Sequence, residues 1–178
     1  VSKSKSVIKR LLNYFSFVFS SLIVGLTRIN KQDILFVESP PLFLGISAYA
    51  IAKAKGAKFV FNVSDLWPES AEKLGIISNR FLLNRATKLE EFCYRKADLI
   101  SGQTQGIVAN ISARFPNKKV HWLKNGVDIK LYDAAKTETK GQFRKAKGYK
   151  DSDFILFYGG IIGYAQGLEV ILQAADKL

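Results

Sequence analysis

Apolar residues recur at spacings of three and four between residues 6 and 28. Ile8, Leu11, Leu12, Phe15, Val18, Phe19, Leu22, Ile23 and Leu26 form one set, and Lys9, Asn13, Ser16, Ser20 and Thr27 fall opposite. That period predicts an amphipathic helix. Its most apolar part is broken by Asn and Ser and falls short of the roughly 20 apolar residues that a bilayer span requires. The pattern suits a helix that packs in a core or lies on a membrane surface.

From residue 33 the period changes. Short apolar runs at DILFVE (33–38), KFVFNV (58–63), DLIS (98–101) and KVHWL (119–123) read as strands. Between them lie three predicted helices. One is opened by Ser39-Pro40-Pro41 and runs to about Lys55. The second spans about Asn79 to Lys96, with Leu82, Ala86, Leu89 and Cys93 on its apolar stripe. The third runs from Gln105 to Phe115 and stops near Pro116. Pro is tolerated in a helix's first turn, which is why Pro40 and Pro41 read as a start. Strands alternating with helices imply parallel pairing, because each helix is a crossover. The expected fold class is α/β, a Rossmann-like parallel sheet with flanking helices.

After NGVD (125–128) the chain becomes polar and lysine-rich. FILFYGG (154–160) then reads as a strand running into glycines, and 167–178 as a helix. The expected organisation is a basic amphipathic helix over 1–30, a Rossmann-like domain over 31–132, a polar linker over 133–153, and a further strand and helix over 154–178. The chain starts at Val1 and contains no Met. It shows no signal-peptide pattern. A segment of a longer protein is the expectation.

Composition narrows the chemistry. The chain of 178 residues is 48% hydrophobic and carries a formal charge of +12, so it is globular and suited to an anionic partner. One basic cluster is Lys3, Lys5, Lys9, Arg10, Arg28 and Lys31. A second is Lys136, Lys140, Arg144, Lys145, Lys147 and Lys150. The aromatics do not interleave with these charges as RNA-stacking platforms would, so no nucleic-acid partner is expected. Cys93 is the sole cysteine and His121 the sole histidine. No intrachain disulfide can form, and the scattered acids complete no metal-ligand spacing. No metal is expected.

In open parallel sheets, ligands bind at the carboxyl ends of the strands. The residues there are Glu38-Ser39-Pro40-Pro41, Ser64 to Glu69, Gly102-Gln103-Thr104, Lys124 to Asp128, and Tyr158-Gly159-Gly160. Each has a structural reading too. Asp65 suits a cap, Asn125-Gly126 a turn, Gly159-Gly160 another turn, and Trp67 the core. Acids are costly to bury unpaired, so their collection at strand ends favours a cleft.

SPPLFLG (39–45), VSDLWPES (63–70), LEEFCYRKADLI (89–100), NGVD (125–128) and FYGGIIGYAQGLEVILQAA (157–175) together resemble the family-four retaining glycosyltransferases. The nearest branch is the bacterial fucosamine-type transferases of surface polysaccharide. The resemblance covers about Leu11 to Leu178. It implies the acceptor half of a GT-B-type fold, truncated, followed by the first strand and helix of the nucleotide-sugar domain. The family's first strand and glycine-rich loop, and its paired glutamates, fall outside the chain.

By the same resemblance, Asp65 and Glu69 are the catalytic candidates. Ser39, Ser64, Trp67, Gln103, Thr104, Asn125 and Asp128 line the acceptor and donor cleft. Gly159, Gly160 and Gly163 bind the donor phosphates. Family members often carry Arg and Lys where this chain has Gly160 and Gln166. Diphosphate binding would then rest on backbone N–H groups and a helix N-terminus. The implied partners are a nucleotide-sugar as substrate, a saccharide acceptor on a lipid diphosphate, and an anionic membrane surface. No cofactor is expected. The implied location is cytoplasmic, peripheral on the inner face of the plasma membrane, with this chain alone inactive. The competing reading is a non-catalytic basic α/β domain that binds an anionic partner. A nicotinamide oxidoreductase fits poorly, because GGIIGYAQG lacks the G-x-G-x-x-G spacing.

Overall fold

A computed structural model describes residues 7–131 and 141–177. Four strands, β1 (Ile34–Ser39), β2 (Lys58–Val63), β3 (Leu99–Gly102) and β4 (Val120–Trp122), pair in parallel in the order β1-β2-β3-β4. This is the α/β Rossmann-like arrangement that the alternation predicts. Sequential parallel order leaves each connection a crossover, supplied by α2 (Leu44–Lys55), by α3 (Glu69–Lys73) with α4 (Arg80–Lys96), and by α5 (Gln105–Arg114). The chain divides into two units, Val1–Asn125 and Gly126–Leu178. The sheet belongs wholly to the first.

The register places Phe59, Phe61 and Val63 of β2 and Ile100 of β3 on one face of the sheet. They pack with Leu42, Ala48, Ala52, Cys93, Tyr94, Ile107 and Ile111 into one core. Rings tile it from Tyr49 through Phe59, Phe61 and Tyr94 to Phe115, with neighbouring centroids 5.4–6.0 Å apart, inside the range of favourable edge contacts. Helix α2 closes on Gly56, whose φ of 70° suits a residue without Cβ and whose N–H bonds back to the helix's last carbonyls. At the other end, Gly45 lets α2 approach α4. A Cβ there would sit 2.4 Å from Cys93 Sγ.

Three sequence expectations are corrected. Helix α2 begins at Leu44 with Phe43 as its N-cap, so Pro40 and Pro41 precede it in a turn rather than opening it. On α4 the buried side chains are Leu83, Glu90, Cys93 and Tyr94, whereas Leu82 is exposed. Cys93 of the predicted stripe is fully buried and Leu89 packs against the core, but the buried face also carries Glu90, which an apolar-period reading passes over. The first helix, α1 (Val7–Thr27), buries only part of its apolar set. Val18 and Gly25 face α2, and Phe15 stacks 4.9 Å from Phe43. Leu12, Phe19 and Ile23 stay more than 60% exposed.

The third correction lies in the second unit, where residues 154–160 pair with no strand. A strand exists only in a ladder, and among the described residues no segment of this unit supplies one. Phe154 is 92% exposed and Ile162 84%. What this unit does hold is α6 (Gln142–Lys147), a single helical turn Tyr164–Gln166, and α7 (Leu168–Ala175). Arg144 of α6 donates to the carbonyls of Lys150 and Asp153 and fixes the loop that follows. Within the polar segment 133–153, residues up to 140 lie outside the described ones.

Candidate functional site

The carboxyl edge of the sheet is where the crossover loops put their side chains. In the register, Glu38 of β1 is level with Asn62, and Ser64 and Gln103 follow the ends of β2 and β3. Side-chain hydrogen bonds link them in a row. Ser64 Oγ donates to Glu38 Oε1. Gln103 Nε2 donates to the same oxygen at 3.1 Å and to Ser64 Oγ at 2.5 Å. Asn125 Nδ2 donates to Gln103 Oε1 at 3.2 Å, and the Trp122 indole N–H donates to the Gln103 carbonyl at 3.1 Å. The Lys124 ammonium sits 4.2 Å from the Trp122 ring centroid. Three strand gaps of about 4.8 Å make this row about 14 Å long.

Asp65 and Glu69 are brought together beside that row. They line a cavity of about 190 Å³ with Leu66, Ser70, Lys73 and Ile107. The loop pairs each acid locally. Ser70 Oγ donates to Asp65 Oδ2 at 2.8 Å, and Lys73 Nζ donates to Glu69 Oε1 at 2.6 Å. The bond and charge of Glu69 hold the Lys73 ammonium protonated above its ordinary range.

The other predicted residues divide. Thr104 caps α5, its hydroxyl accepting from Ile107 N–H. Trp67 packs its ring edge-on to Phe43 at 6.3 Å. Ser39 ends β1 and is buried, 3% exposed. Asp128 belongs to the second unit, where its carboxylate accepts from Lys130 N–H. Gly159, Gly160 and Gly163 are exposed in that same unit. Glu38 stands at the strand end that the sequence marks, but its role depends on Gln103, 65 positions away, and no local signal reports that bond.

A second acidic group escapes the sequence altogether. Glu90 is 3% exposed on α4. Arg114 Nη2 of α5 donates to its Oε2 at 2.6 Å, and Tyr94 Oη to its Oε1 at 2.9 Å. The bond to Glu90 raises the guanidinium further above its ordinary range. Burial, with Glu90 nearby, pushes the Cys93 thiol up to about 12 and raises the Tyr94 hydroxyl as well. A raised thiol is a poor nucleophile, so Cys93 is a packing residue. Glu90 and Arg114 also border a cavity of about 340 Å³ with Pro68, Glu69, Glu72, Thr87 and Glu91. Among the described residues no group of three or more His, Cys, Asp or Glu could hold a metal ion, and no helix is long and apolar enough to cross a membrane.

No family model matches the chain. It is similar to "Putative colanic acid biosynthesis glycosyl transferase WcaI" of Escherichia coli (strain K12), with 26% identity over 183 aligned residues. The similarity takes in 100% of this chain and 45% of that protein, so the chain spans less than half the length of the curated relative it matches.

Proposed function

We propose that the chain is the acceptor-binding side of a retaining glycosyltransferase that builds surface polysaccharide. The observation that carries this reading is the end-to-end similarity to the Escherichia coli relative. The polar carboxyl edge supports it, since a sugar needs several hydrogen-bonding groups in fixed positions. A nucleotide-sugar is the donor and a lipid-linked saccharide the acceptor. Retaining transfer builds positive charge on the sugar ring and negative charge on the leaving phosphate, so the protein's task is orientation and electrostatic stabilisation. Asp65 offers an anion to the sugar. Ser64, Gln103 and Asn125 orient the acceptor. Gly159, Gly160 and Gly163 present backbone N–H groups to the donor phosphates.

The exposed half of α1 favours a place on the membrane surface. Phe17, Phe19 and Ile23 project outward, and Ser16, Ser20 and Thr27 return their hydroxyls to carbonyls of their own helix, which lowers the penalty of an apolar setting. Arg28, Lys31 and Lys53 lie exposed near the same end of the helix, each adding about 1 kcal/mol near an anionic surface.

The deciding assay uses the full-length enzyme, labelled nucleotide-sugars and a lipid-linked saccharide. Transfer is expected, and Asp65→Asn lowers turnover about tenfold or more, about 1.4 kcal/mol of barrier. Absence of transfer with every donor overturns the reading. Sedimentation with vesicles tests docking, which predicts binding that rises with anionic lipid and falls with salt; indifference to both removes it.

A further inference from the structure

We propose that Glu38 heads a saccharide subsite that selects neutral, hydroxyl-rich rings and rejects phosphate. The inference deepens the transferase reading, on which it rests for calling this saccharide the acceptor. It comes from the valences that the row leaves open. Glu38 Oε1 is saturated by Ser64 and Gln103. Its Oε2 has no partner among the described residues. Gln103 spends both its N–H groups on Glu38 and Ser64, and its oxygen accepts from Asn125 and keeps one lone pair. Only this amide orientation matches donor to acceptor throughout, because the nitrogen must face the carboxylate. Asn125 then keeps its Oδ1 and one N–H. At the Glu38 end of the row the open groups are therefore mainly acceptors, one of them charged, against a single amide donor, while the Lys124 ammonium stands at the β4 end against Trp122.

That balance decides the ligand. Sugar hydroxyls donate as readily as they accept, and a charge-assisted O–H···O⁻ bond to Glu38 is the strong kind. A phosphate dianion offers acceptors only. Beside Glu38 it would meet a carboxylate with no cation paired to it among the described residues. The Trp122 indole and the Ser64 hydroxyl lock the row from both sides, so the acceptors are fixed before a ligand arrives, which spares ordering entropy on binding. The phosphates of a lipid-linked acceptor and of the donor must bind away from Glu38.

The test is saturation-transfer NMR on the 178-residue chain. The probes are galactose, glucose and N-acetylglucosamine against their 1-phosphates, in high salt to screen the +12 charge. The wild-type chain should transfer saturation to a neutral sugar in preference to its phosphate. Glu38→Gln turns the open acceptor into a donor, and should move the neutral-to-phosphate ratio about tenfold toward phosphate, about 1.4 kcal/mol. Asn125→Ala, in an exposed loop, should weaken the neutral sugar several-fold. A preference for phosphates in the wild type, saturation of none of the neutral sugars, an unchanged ratio in Glu38→Gln, or an unchanged signal in Asn125→Ala each overturns the proposal. Such a failure leaves glycosyl transfer standing, since transfer is read separately as product formed by the full-length enzyme.

Discussion

Replacing Arg114 with Met tests the buried ion pair that joins α4 to α5. Met keeps the aliphatic volume beside the Tyr94 and Phe115 rings, which the guanidinium overlies at 5.8 and 5.6 Å, and removes only the charge. Glu90, with 4% of its side chain exposed, is then left to the Tyr94 hydroxyl. Breaking a buried pair by deleting one partner typically costs about 3–5 kcal/mol. One fact lowers that figure here. Arg114 is 31% exposed, so water can enter where it stood. We expect a loss of about 2–3 kcal/mol, or about 5–10 °C in Tm for a chain of this size. The reverse change, Glu90→Gln, leaves a guanidinium that can turn to solvent, and should cost about 1 kcal/mol. The double variant should fall short of the sum by about 1–2 kcal/mol. Urea unfolding followed by tryptophan fluorescence reads the right unit, because Trp67 and Trp122 both lie in it. A defect below about 0.5 kcal/mol at pH 7 refutes the argument.

Asp98 accepts from the Phe59 N–H at 2.9 Å and from Lys58 at 3.3 Å, and the Phe59 bond, helped by Lys58 and Lys118, holds its carboxyl below the usual 3.8. The folded state therefore binds fewer protons than the unfolded one in that window, so this stabilisation is present above pH 3.8 and lost as pH falls through the folded value. Asp98→Asn should cost about 1 kcal/mol at neutral pH, modest because the side chain is 43% exposed, and the gap should close in acid unfolding; a gap constant with pH contradicts the linkage. Gly45→Ala drives a Cβ to 2.4 Å from Cys93 Sγ and 3.2 Å from Phe61, and overpacking should destabilise the fold by about 1–3 kcal/mol, read as a lower urea midpoint. Gly126→Ala, which meets nothing within 4 Å, should stay within about 0.5 kcal/mol; equal effects would disprove the close approach. On the transferase reading, Glu69→Gln should lower turnover less than Asp65→Asn does, and the opposite order would reassign the two acids.

The sheet was legible because its signals are local. Each of the four paired strands is a short apolar run, and the helices between them dictate parallel pairing. The carboxyl edge was legible as a place, since chain direction alone fixes it. What the sequence hides is pairwise and distant. Glu90 and Arg114 are 24 residues apart, and without Arg114 a buried Glu90 looks wrong, which is why the α4 stripe is predicted through Leu82. Helix α3 has five residues, too few for a period to show. Residues 154–160 have a strand's composition, but strand character also needs a neighbour. Glu38 reads as a strand terminus until the register sets Ser64 and Gln103 beside it.

Charge pairing separates the three acids at the carboxyl edge on the transferase reading. Glu69 forms a salt bridge with Lys73 one helical turn away. To a ligand several ångströms off, that pair is nearly neutral, and its field falls faster with distance than that of a lone charge. Among the described residues Asp65 is bound by a serine hydroxyl alone, and no cation pairs with it. Glu38 likewise has a hydroxyl and an amide for partners and no cation. A developing positive charge on a sugar ring is stabilised by an uncompensated anion, which selects Asp65 over Glu69 in the loop 64–69. Glu38 lies in the rigid cross-strand row with its acceptor already oriented, an arrangement suited to holding a hydroxyl through the reaction. The division places electrostatics on the loop acid and recognition on the strand acid, and it follows from which partners the fold gives each carboxylate.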